Sequence, residues 1–121
     1  MNSGQRAAIA AIVIAINSNS SVNTVYSYEE SRYISMSGSV NDKAISAYDY
    51  GRGCHLSGRV SSPNNFSVFD YGVSGHINLK IDGVKFSGYD YSSGYHFSGT
   101  IRSKSVSFYD YQTSTYYNYS S

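Results

Sequence analysis

The chain has 121 residues, with nine Lys plus Arg against eight Asp plus Glu, and that near balance argues against an electrostatic grip on nucleic acid or an anionic membrane. Its single cysteine, Cys54, excludes an internal disulfide and any Cys/His zinc pattern. With 25 Ser, 14 Tyr and 11 Gly, the composition is too aromatic for disorder and too poor in Leu, Glu and Lys for a coiled coil.

The first segment differs from the rest. Residues 5–16 read QRAAIAAIVIAI, and their alanines favour helix. Asn2 or Ser3 offers an N-cap and Asn17-Ser18 a stop, which predicts a helix over residues 3–17. The apolar run Ala7–Ile16 is far short of the ~20 residues a bilayer span needs, so no transmembrane span is expected. Arg6 followed by that run also fits a secretory signal, but Ile16-Asn17-Ser18 makes a poor cleavage site, and a retained helix is the expectation. Its isoleucines do not keep to one stripe. A helix that is apolar all round needs a wrapping on most sides.

From Val25 onward a unit of about 20 residues repeats. Tyr48-Asp49-Tyr50, Phe69-Asp70-Tyr71, Tyr89-Asp90-Tyr91 and Tyr109-Asp110-Tyr111 carry it, with Val25–Tyr28 as a degenerate first copy. His55, His76, His96 and Tyr116 follow five residues after each closing Tyr, and Tyr33 follows Tyr28 at the same distance. Each unit holds two stretches of period-two alternation, the pattern of half-buried strands. The predicted strands are 24–28, 32–40, 44–50, 54–61, 66–71, 75–82, 85–91, 95–102, 105–111 and 115–120. Short polar connections join them, which implies an antiparallel meander of about ten strands. The whole reads as one domain, 1–121, with the β-repeat region at 24–120.

Placing each closing Tyr opposite its His, as in Tyr50 with His55 and Asp49 with Leu56, puts every apolar residue on one face. The other face collects Tyr, His, Ser, Asn, Lys and Arg. A middle row of the apolar face runs Gly38, Ala47, Gly58, Val68, Leu79, Gly88, Gly99, Phe108. Glycine is disfavoured inside strands unless another backbone comes close, and the Ala/Ile helix is the expected neighbour. The expected fold is therefore all-β with one N-terminal helix, the sheet curled or barrel-like around it. A β-solenoid is the alternative. It would stack Asp49, Asp70, Asp90 and Asp110 about 4.8 Å apart, where like charges repel.

Asp and His recur six residues apart, which suggests catalytic pairs or a metal site at an Asp rim. Parity opposes it, since each Asp falls on the apolar face and each His on the polar one. The Asp residues are better read as strand-end acceptors for N–H groups of their own turns. No catalytic residues, metal ligands or cofactor are therefore assigned. Cys54, beside Arg52 and His55, reads as a loop thiol whose pKa those neighbours lower.

The unusual feature is an outward aromatic row: Tyr28, Tyr33, Tyr50, His55, Tyr71, His76, Tyr91, His96, Tyr111 and Tyr116. Tyr supplies large, rigid, amphipathic contact area. The row implies a non-catalytic protein acting through contact, structural or self-assembling, with other copies of itself as the expected partner. Strands 24–28 and 115–120 would offer unpaired edges to that association if the sheet stays open. A carbohydrate-binding module is the alternative and an enzyme using the Asp rim a second one. The scattered Lys and Arg imply no nucleic-acid partner. In style alone the repeat resembles bacterial β-repeat proteins, which carries no function.

Overall fold

A computed structural model describes residues 1–121. Helix α1 (Ser3–Ser18) is followed by β1 (Val25–Ser27), β2 (Arg32–Ile34), β3 (Met36–Val40), β4 (Ala44–Asp49), β5 (Cys54–Ser62) and β6 (Asn65–Asp70). Then come β7 (Gly75–Asp82), β8 (Lys85–Asp90), β9 (Tyr95–Arg102), β10 (Ser105–Asp110) and β11 (Thr115–Ser120). All ladders are antiparallel, in the order β2-β1-β11-β10-β9-β8-β7-β6-β5-β4-β3. This is the meander expected from the repeat, and it excludes the solenoid, whose stacked coils would pair in parallel.

The meander is nearly closed. β1 pairs with β11 through Tyr26↔Ser120 and Ser27↔Tyr119, so 24–28 and 115–120 are not the open edges that the sequence suggested. The two end strands are instead β2 and β3, and they are consecutive in the chain. The stretch expected as one strand, 32–40, breaks at Ser35: β2 pairs with β1 and β3 with β4. One segment thus serves both edges, which makes eleven strands from ten alternating stretches. Val22, in the link from α1 to β1, donates its N–H to Gly38 O at 3.0 Å and so makes a single bridge to β3.

The hairpin register departs from the expected one by two residues. Asp49 pairs with Cys54 and Tyr48 with His55, because Tyr50 belongs to the turn and not to the strand. An even shift keeps every side chain on its face, so the inside–outside assignment survives. The expected Asp–apolar pairings exist, but with the preceding hairpin: Leu56↔Asp70, Ile77↔Asp90 and Phe97↔Asp110. Successive hairpins are therefore staggered, as strands must be when a sheet closes into a barrel.

α1 supplies the filling. Ala7 through Ile14 are at most 5% exposed, on all sides of the helix, and share one core cluster with Ile45, Leu56, Ile77, Phe97 and Phe108 from the sheet. Each fully buried Ile contributes about 1.5–3 kcal/mol. The start is a capping box, in which Asn2 Oδ1 accepts from Gln5 N at 2.8 Å and Gln5 Oε1 accepts from Asn2 N at 2.9 Å. The end comes one residue beyond expectation, at Ser18, with Asn19 as a left-handed cap.

At the glycines of the inner row the nearest neighbours come from the sheet. A Cβ at Gly88 would strike Asn78 O and the Phe97 ring, and one at Gly99 would strike Ser107 O and the Phe86 ring. These are sheet neighbours. Glycine here lets adjacent strands turn sharply toward each other, and phenylalanines fill the space, Phe97 stacked on Phe108 at 5.1 Å.

Candidate aromatic contact surface

Five turns at one end of the barrel share one construction. Each follows an inward polar residue: Ser27, Asp49, Asp70, Asp90 or Asp110, none more than 1% exposed. The Asp Oδ1 accepts the N–H two residues on, from Gly51, Gly72, Ser92 and Gln112 at 2.8–3.1 Å. Ser27 Oγ substitutes by accepting from Glu30 N at 3.2 Å. Four turn residues follow, and the fourth (Ser31, Gly53, Ser74, Gly94 or Ser114) has a positive φ. The strand-end role read from the sequence for the Asp residues holds.

The closing Tyr opens each turn, and its N–H donates to the segment that neighbours it in the sheet. Tyr71, Tyr91 and Tyr111 bond to His55, His76 and His96 O at 3.0–3.2 Å; Tyr50 bonds to Ser35 O and Tyr28 to Asn118 O. Three phenols are tied to the same neighbours. Ser37 Oγ donates to Tyr50 Oη at 3.2 Å, Asn78 Nδ2 donates to Tyr91 Oη at 3.1 Å, and Tyr28 Oη lies 3.3 Å from Ser120 Oγ. Each closing Tyr is thus stitched to the neighbouring hairpin while its ring stays half open to solvent.

Ring packing then groups the row into triplets. Tyr48 packs against both Tyr50 and His55, Phe69 against Tyr71 and His76, and Tyr89 against Tyr91 and His96, with centroids 4.7–4.9 Å apart. Tyr26 does the same for Tyr28 and Tyr33, and Tyr109 for Tyr111 and Tyr116. All ten residues predicted for the row are outward and exposed, from 51% at Tyr111 to 72% at Tyr33 among the tyrosines. The central ring of each triplet was missed. Tyr26, Tyr48, Phe69, Tyr89 and Tyr109 are half-buried. They stand two residues before each closing Tyr, so period two already placed them on the same face. Across the β2-β1-β11-β10 seam the patch is tyrosine only; the histidines occupy the other three triplets.

Behind this band lies a buried charge layer. Arg52 Nε meets Asp49 Oδ2 at 2.7 Å, and its other arm meets Asp70 Oδ2 at 3.0 Å. Arg6 on α1 meets Asp110 Oδ2 at 3.1 Å and Glu29 at 2.8 Å, and its guanidinium lies 3.8 Å above the Tyr117 ring. Met1 N lies 3.6 Å from Asp90 and 3.7 Å from Asp110. Burial alone would lower both arginine pKa values. Glu29 beside Arg6, and the hydrogen bonds from Arg52 to Asp49 and Asp70, hold them above the ordinary value. Asp and His lie on opposite sides of the wall, and no group of three or more His, Cys, Asp or Glu is placed to hold a metal ion.

Cys54 corrects the sequence reading. It is the first residue of β5 and buried, not a loop thiol. Burial pushes its pKa up; Arg52 pulls the other way, and Asp70 and Asp49 reinforce the rise. His55, its neighbour in sequence, faces outward.

No protein-family model matches the chain, and comparison with curated proteins and with solved structures found no match. No helix is long and apolar enough to cross a membrane.

Proposed function

We propose that the protein is a non-catalytic contact protein that assembles with further copies of itself through the aromatic band. One observation carries this reading: five ring triplets stand side by side on one outer band, held rigid by the turns beneath them. Rigid tyrosines lose little entropy on contact, and edges and faces of the same ring are complementary to each other. The low surface charge opposes association only weakly. Since β1 and β11 pair with each other, the sheet's end strands are the short β2 and β3, and the band is the larger surface on offer.

A glycan is the second reading. It is favoured by the hydroxyl and amide groups set beside exposed rings, Ser37 at Tyr50 and Asn78 at Tyr91. Sedimentation equilibrium over a wide concentration range separates the two. Self-assembly predicts a mass that rises with concentration and falls back to monomer in the Tyr33→Ser/Tyr116→Ser variant, whose rings are the most exposed and least tied. A monomer at every concentration that binds saturably on a glycan array supports the second reading. A monomer that binds nothing removes both.

A further inference from the structure

At the end of the barrel opposite the band, an open cleft of about 510 Å³ lies between the last turn of α1, the β3–β4 loop and the β5–β6 loop. Its floor is Ile16, Val40, Val60 and Phe66. Ile16, Val40 and Val60 are three of the four partly buried apolar residues that border the core, so the core reaches solvent chiefly here. Beside the cleft the β5–β6 register shifts between Val60 and Ser62. The flanking loops are ordered by their own bonds. Asn41 Oδ1 accepts from Lys43 N and Ala44 N, both at 2.8 Å, and Asn65 Nδ2 donates to Pro63 O at 3.1 Å. The volume falls in the ~300–1,000 Å³ range of small-molecule sites.

Asp42 is the one charged residue lining the cleft; Lys43 follows it in the loop, its carbonyl accepting from Val60 N at 2.8 Å. The C-terminal end of α1, with Ile16 and Asn19 on the wall, adds the negative end of a helix dipole, and its last turn holds no basic residue to neutralise it. We infer that this cleft binds a small organic cation: a compact apolar body seated on Val40, Val60 and Phe66, with an ammonium group directed at Asp42. The site is separate from the aromatic band and does not depend on what the band does.

The probe is cyclohexylmethylammonium, with cyclohexylmethanol and cyclohexanecarboxylate as neutral and anionic counterparts of one shape. Methyl resonances of Val40 and Val60 are followed by NMR during titration of the full chain. The expected result is a saturable shift of both, with the ammonium bound about two- to five-fold tighter than the alcohol, as one solvent-screened ion pair allows. The carboxylate should bind weakest. Asp42→Asn, an exposed and nearly isosteric change, should equalise ammonium and alcohol without abolishing either. Three results would overturn the assignment: no saturable shift at these methyls, equal binding of all three probes, or shifts confined to the tyrosine rings at the other end.

Discussion

The two ends of the barrel are built on different terms. At the banded end one turn is repeated five times, each locked by an inward side chain accepting its own N–H, and buried ion pairs join the turns to α1. At the cleft end three two-residue turns and the longer β3–β4 loop are tied to neighbouring strands by backbone bonds, such as Val60 N to Lys43 O at 2.8 Å and Ile81 N to Asn64 O at 2.9 Å, and they leave the core partly open. The repeated side-chain lock marks one rim; the concavity lies at the other. A chain that needs both a flat contact band and a recess can place them at opposite ends of the same strands.

The largest test of that contrast is Arg52→Met. The substitution keeps the apolar stem but leaves Asp49 and Asp70, both 0% exposed, facing each other without a cation. Removing one partner from a buried ionic group costs about 3–5 kcal/mol. At the other end, Asn41→Ala removes two bonds from an exposed loop and should cost only about 0.5–1.5 kcal/mol. Urea denaturation measures both. Equal losses would mean that the ends do not differ in how firmly they are held.

A smaller effect is expected at high pH, again at the banded end. Tyr119 pairs with Ser27, and burial pushes its phenol pKa well up, against the pull of Arg6 and with the help of Glu29. The folded chain therefore keeps this proton when the unfolded chain has begun to lose it, near pH 10 for an ordinary phenol. The stability that Tyr119 contributes is complete below that pH and is lost as pH rises through the folded value. Urea midpoints between pH 8 and 11 should fall, and Tyr119→Phe should flatten the decline above pH 10. Cys54, also raised by burial, gives a loss of the same sign that starts lower, near pH 8.5. An unchanged slope in the Tyr119→Phe variant would remove Tyr119 as its source.

These contrasts were only half legible in the sequence. Period-two alternation and the Tyr-Asp-Tyr repeat carry the strands, the faces and the turn role of each Asp, because parity is a local property of the chain. The stagger between hairpins is not local. Leu56 stands between Ala47 on one side and Asp70 on the other, and counting along the chain does not fix both ladders at once. The same holds for Ser35, where nothing in Arg32–Val40 marks the change of neighbour that closure imposes. Gly88 and Gly99 announced a close approach but not its partner, since Phe86 and Phe97 come from adjacent strands. The cleft is not legible because its lining comes from α1, the β3–β4 loop and the β5–β6 loop, which only the tertiary fold brings together.

The smallest expected effect bears on whether repetition itself is what makes the rim rigid. The fourth turn position has a positive φ in all five copies, but only Gly53 and Gly94 are glycine there. Ser74, at φ 51°, holds a conformation that costs a non-glycine residue about 1–2 kcal/mol. Glycine relieves this but adds about 0.4–1 kcal/mol of freedom to the unfolded chain. Ser74→Gly should therefore stabilise by roughly 0.5–1 kcal/mol, a net of those two terms. Ser103, at φ 54° in the β9–β10 turn of the opposite end, provides the comparison. An equal gain from Ser103→Gly would show that the backbone conformation alone sets the effect. A gain at Ser74 that exceeds it would show that the Asp-locked turn enforces its geometry more strictly than the turns of the cleft end, which is what a rim held in register by a repeated side-chain lock requires.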